Sequence, residues 1–124
     1  MKVVAMLDPN FKVAIQRLYK TMLPAQVAFK VKKIVKTMDI EIEVLDLLRK
    51  ELLSKHGNKG PTDELVLDEN GNVQFQPEEM EKFVAAYNEL LSKEVPLPTI
   101  AIGEIKDILF TAEELEGCGP IIRE

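Results

Sequence analysis

One apolar series dominates the chain. Val27, Val31, Ile34, Met38, Leu45, Leu48 and Leu52 follow one another at steps of four and three, and Glu41 fills the one polar position in the series. Residues spaced this way lie along one side of an α-helix and favour a gently supercoiled partner. No Gly or Pro interrupts from Ala25 to His56. A single helix is therefore predicted across that stretch, about 45 Å long at 1.5 Å per residue. Gly57 follows as a natural terminator. Upstream, Phe11, Ile15, Leu18, Tyr19 and Met22 recur at helical spacing behind Asp8-Pro9, a capping acid and a proline suited to the first helical position. Pro24 ends this first helix, because the residue before a proline is pushed out of the helical region.

Beyond Gly57 the pattern changes period. GNKGPTD reads as a loop, and Leu65-Val66-Leu67 and Val73-Gln74-Phe75 flank Asp68-Glu69-Asn70-Gly71-Asn72. Asn-Gly tolerates the positive φ of a tight hairpin, so a β-hairpin is predicted over 64–76. Pro77-Glu78-Glu79 opens a further helix over 77–93, whose face is Met80, Phe83, Val84, Tyr87, Leu90 and Leu91. The prolines of Val95-Pro96-Leu97-Pro98 then force an extended segment. Thr99–Ile102 reads as a strand, Gly103–Phe110 as a short helix, and Thr111-Ala112-Glu113-Glu114 as a capping box for one last turn closed by Gly117. The leading KVVAML reads either as an edge strand or as the lead into the first helix.

These elements predict a mainly α fold with a small β element. Its core is a long-helix hairpin over 8–56, joined by the β-hairpin, the 77–93 helix and an extended or helical tail over 95–124. At 124 residues one domain is expected. The first helix is too short to cover a rod of this length. Val27, Val31, Ile34, Met38, Leu45, Leu48 and Leu52 are therefore expected to pack on the later helix and on a second copy, in a homo-oligomer, most simply a dimer. Glu41 in this seam either sets register or faces water; the two readings are even.

Composition narrows the function. With 46% hydrophobic and 30% charged residues the chain is that of an ordinary globular protein and not a disordered one. No apolar run approaches the roughly 18 residues of a membrane span. Met1–Met6 lacks the pattern of a secretion signal, so an intracellular protein is expected. With one Cys and one His, the chain offers no disulfide and too few soft ligands for a structural zinc; no metal and no cofactor are expected.

Candidate chemistry fares no better than its structural explanations. Cys118 between two glycines is read as a buried small hydrophobe. His56 is read as a cation at a helix C-terminus, and Glu78-Glu79 and Glu113-Glu114 as acids in first helical turns. The acidic loop lacks calcium-loop spacing. No catalytic residue is assigned. The net charge of −5 is divided unevenly: residues 1–56 hold 11 Lys/Arg against 6 Asp/Glu, and residues 57–124 hold 5 against 15. Lys30, Lys32, Lys33 and Lys36 cluster within two turns, Lys30 and Lys33 on one flank and Lys32 and Lys36 on another. The first reading is a solvated helix flank; as a binding site they are the candidate partner-binding residues, for an acidic protein ahead of a nucleotide or small anion. Nucleic acid is disfavoured by the acidic chain and the lack of any phosphate loop.

From the long helix through LLRKELLSKHGNKG, the turn DENGN and the helix FVAAYNELLSKEV, the chain resembles a family of small uncharacterised accessory proteins of tailed phages, mainly of Gram-positive hosts. The resemblance covers about residues 40–110 and carries no catalytic residues over. It implies a phage-encoded, non-enzymatic binding protein that engages a host protein, such as a defence or transcription component. A virion or assembly component is the alternative.

Overall fold

The computed structural model describes residues 1–106, 108 and 110–123. Part of the expected 103–110 helix, at 107 and 109, and the last residue of the tail, 124, lie outside the described residues. The fold is mainly α with a small β element. The helices are α1 (Val3–Met6), α2 (Pro9–Lys20), α3 (Ala25–His56), α4 (Pro77–Leu91) and α5 (Ala112–Cys118), with short 3₁₀ turns at Ile102–Ile105 and Gly119–Ile121. Strands β1 (Ile100–Ala101) and β2 (Ile122–Arg123) pair in parallel, Ile100 opposite Ile122. The chain divides into two compact units, residues 1–42 with 93–124, and residues 43–92. The unbroken α3 supplies its N-terminal half to the first and its C-terminal half to the second.

Unit 1 holds a closed core. Phe11, Ala14, Ile15 and Leu18 of α2 are buried with Val27, Val31, Ile34 and Met38 of α3. Val3, Met6, Val95, Ile100, Ile105, Cys118 and Ile121 complete it. Local signals set the helix ends. Asp8 Oδ1 accepts from the Asn10 N–H at 2.9 Å, with Pro9 at the first helical position. Thr111 Oγ1 accepts from the Glu114 N–H at 3.1 Å while Glu114 Oε1 accepts from the Thr111 N–H at 3.2 Å, a reciprocal capping box. KVVAML forms no edge strand; it turns once as α1. Backbone bonds flank that turn, from Val3 N–H to the Lys93 carbonyl at 3.0 Å and from Val95 N–H to the Met1 carbonyl at 2.8 Å.

Unit 2 is more open. Leu45 is its one buried apolar side chain among the described residues, and α4 buries none. Leu48, Leu52, Phe75, Phe83 and Tyr87 are half-buried. The aromatic rings follow in series, Phe75 tilted against Phe83 at 5.1 Å between centroids and Phe83 stacked on Tyr87 at 5.9 Å. A unit of this size cannot enclose many side chains fully, since small folds bury a smaller share of their surface.

The hairpin expected over 64–76 is reduced to one antiparallel bridge, Leu67 with Val73, and forms no two-stranded ladder. Its turn is as expected: Asp68 Oδ1 accepts from the N–H groups of Asn70 (2.8 Å) and Asn72 (3.0 Å), and Gly71 takes φ +80°. A third segment competes for the backbone groups. Asn58 N–H donates to the Gln74 carbonyl (2.8 Å), Gln74 N–H to Val66 (2.9 Å) and Val66 N–H to Asn58 (2.8 Å). The three bonds close a triangle, which satisfies the backbone without extending any pair.

Candidate binding surface

The basic residues of unit 1 are concentrated in one stretch. Residues 9–38 hold seven Lys/Arg and not one Asp or Glu. This stretch is α2 and the first half of α3, and its charges do not remain together as one patch. Lys30 Nζ lies 3.2 Å from Glu104 Oε1 and is half-buried. The Ala101 N–H, donating to Glu104 at 2.9 Å, and then Lys30 hold that carboxyl below the usual carboxylate range. Lys32 borders a shallow hollow beside Tyr19 and Leu23. Lys33 and Lys36 are exposed, and no ion pair within the chain involves either among the described residues.

Between these lysines stands Phe29, 71% exposed on α3. It shares a surface depression of about 510 Å³ with Ala25, Gln26, Lys30, Lys33 and Pro98. The depression is mainly apolar and rimmed by ammonium groups. Leaving an aromatic ring in water forgoes the free energy of its burial, which makes this ring beside an apolar wall a candidate docking position. Sequence reading found the lysines and gave Phe29 no role, although the absence of acids across residues 9–38 is visible in the sequence and falls in the same place.

Arg17, Glu114, His56 and Glu79 tie elements together. Arg17 Nη1 meets both carboxylate oxygens of buried Glu114, at 2.7 and 2.6 Å, and its guanidinium lies 5.3 Å from the Phe110 ring centroid. Arg17, ahead of the Thr111 contacts, holds the Glu114 carboxyl low. This pair ties α5 to α2. Where the two helices meet, a Cβ on Gly117 would lie 2.7 Å from the Phe11 backbone nitrogen. Cys118 is fully buried, and burial first, then the Glu114 charge, pushes its thiol up to about 11. A thiol so placed is not a nucleophile at neutral pH. His56, at the end of α3, places Nδ1 2.6 Å from Glu79 Oε2 in the first turn of α4. That bond, with Lys82 next, keeps the Glu79 carboxyl low.

Glu41 is half-buried, and its Oε2 lies 3.5 Å from Lys93 Nζ. A cation therefore answers the one polar member of the long stripe. Among the described residues no group of three or more His, Cys, Asp or Glu is placed to hold a metal ion. Nor is any helix among them long and apolar enough to cross a membrane. Compared with protein-family models, with curated proteins and with solved structures, the chain matches none.

Proposed function

We propose that this chain is a non-enzymatic binding protein that meets an acidic protein partner at the Phe29 face of α3. The observation that carries the reading is the exposed Phe29 ring in an apolar depression rimmed by Lys30 and Lys33. An aromatic anchor in a concave site, surrounded by charges of one sign, is the arrangement that concentrates binding energy and steers an oppositely charged partner. The apolar lining suits a protein side chain better than a phosphate. Lys30, already neutralised by Glu104, supplies packing and position, while Lys33 and Lys36 supply attraction. The buried thiol of Cys118 and the His56 ring engaged by Glu79 support the absence of nucleophilic chemistry. The resemblance to tailed-phage accessory proteins supports a host protein, such as a defence or transcription component, as the partner.

The test is capture from bacterial lysate on immobilised protein, read by mass spectrometry. The wild type retains a specific acidic protein. Phe29→Ala weakens its capture at least about tenfold, as truncation of a central aromatic does. Reversal of Lys30, Lys33 and Lys36 to Glu abolishes capture with helical content unchanged. Capture that survives both changes would refute the assignment of this face.

A further inference from the structure

Within unit 2, α4 is held by very little. Among the described residues no backbone hydrogen bond joins it to another segment beyond its own caps. One side-chain bond does, between Glu79 Oε2 in its first turn and His56 Nδ1 at the end of α3, 2.6 Å apart. The remaining hold is apolar and open. Phe83, Ala86, Tyr87 and Leu90 lie on one face of α4, and all four are only half-buried. The segment just before α4 is tied down more firmly. Asn58 N–H donates to the Gln74 carbonyl, and Gly57 bridges to Phe75. The firm anchorage therefore stops at Phe75, and α4 begins at Pro77.

We propose that α4 is a lid that lifts as one piece at Gln76, while α3 and unit 1 stay folded, and that the His56–Glu79 bond is its catch. The cost of a local opening follows the apolar area and the hydrogen bonds it breaks. Lifting α4 takes half-wet side chains into water, so the apolar cost is small. A single bond then decides how often the lid opens. That bond runs to a carboxylate, which makes it stronger than one between neutral groups. The His56 side chain is 9% exposed, so breaking the bond leaves a nearly enclosed ring without this partner. Lys82, the other cation on Glu79, belongs to α4 and travels with it. Once lifted, a helix of 15 residues is marginal in water, so its amides open to solvent. The open form bares Phe75 and the stacked pair of Phe83 and Tyr87. None of these residues belongs to the Phe29 face.

The experiment is amide hydrogen exchange of the full chain, read by mass spectrometry on peptides. In the wild type the amides of residues 82–90 in α4 exchange at least about tenfold faster than those of residues 14–18 in α2, which lie in the closed core. His56→Ala speeds α4 by at least about a further tenfold and leaves α2 within about twofold. Glu79→Ala does the same. The double variant adds little to either, because each single change already removes the same bond. His56→Asn, whose amide N–H can stand where Nδ1 stands, keeps most of the protection. Glu78→Ala takes an acid from the same first turn without touching the catch, and changes α4 by less than about threefold. One common rate for α4 and α2 in the wild type overturns the proposal. So does a His56→Ala chain in which both regions speed up alike, or a double variant whose effect is the product of the two singles.

Discussion

Ile34 is the most exacting probe of the fold, because α3 turns its side chain wholly inward, 0% exposed, in the closed core of unit 1. Ile34→Ala deletes three carbon atoms. At about 0.8 kcal/mol for each buried methylene the transfer loss alone is about 2.4 kcal/mol. The cavity left beside neighbours that relax only partly brings the expected cost to about 2–5 kcal/mol. The matched control is Val13→Ala on α2, where the side chain is 54% exposed and the change is expected to stay within about 0.5 kcal/mol. The assay is urea denaturation followed by far-ultraviolet circular dichroism. The dependence on urea should match the wild type, so that the shift in midpoint reports stability alone. A loss below about 1 kcal/mol for Ile34→Ala, or one equal to that of Val13→Ala, would refute the orientation assigned to α3.

Three further outcomes follow from particular contacts. Gly117→Ala places a Cβ 2.7 Å from the Phe11 nitrogen, so α5 must shift off α2 at a cost of about 1–3 kcal/mol. Gly103→Ala, with nothing within 4 Å, is expected to be near neutral in the same denaturation assay. Cys118 should react with a thiol reagent at about pH 8 far more slowly than a free cysteine and reach the ordinary rate only in denaturant; fast labelling of the folded protein would contradict its burial. The carboxyls of Glu79, Glu104 and Glu114 are all held below their ordinary value of 4.5. Their contribution is present above that value and lost as pH falls through the lowered folded-state range, so the urea midpoint should drop on acidification below about pH 4.5. Glu104→Gln should flatten the drop, and a midpoint that rises on acidification would count against these pairings.

The helices were legible because their signals are local and repeated. Asp8 and Thr111 cap as their types suggest, and the Val27–Met38 series is buried in unit 1 as its spacing implied. The same spacing gave no sign that Phe29 stands 71% exposed, because a single ring makes no periodic series. Partners distant in sequence left no local trace. Arg17 and Glu114 are 97 positions apart, and Lys30 and Glu104 are 74 apart. Lys30 therefore looked like one of four equivalent lysines until its partner was in place. The two-residue parallel strands are too short for an alternation to show. The 64–76 hairpin was expected from its turn and the apolar segments beside it, and residue 58, which diverts its backbone bonds, lies outside the segment that suggested it.

The central claim is that Phe29 and its lysine rim form the binding face, and the most direct measurement is a calorimetric titration of the captured partner against two variants. Phe29→Ala should weaken binding at least about tenfold, equivalent to about 1.4 kcal/mol or more. Val13→Ala, an exposed apolar truncation on α2, should leave the affinity unchanged. Equal affinity for the wild type and Phe29→Ala, or a larger loss at Val13 than at Phe29, would contradict the account.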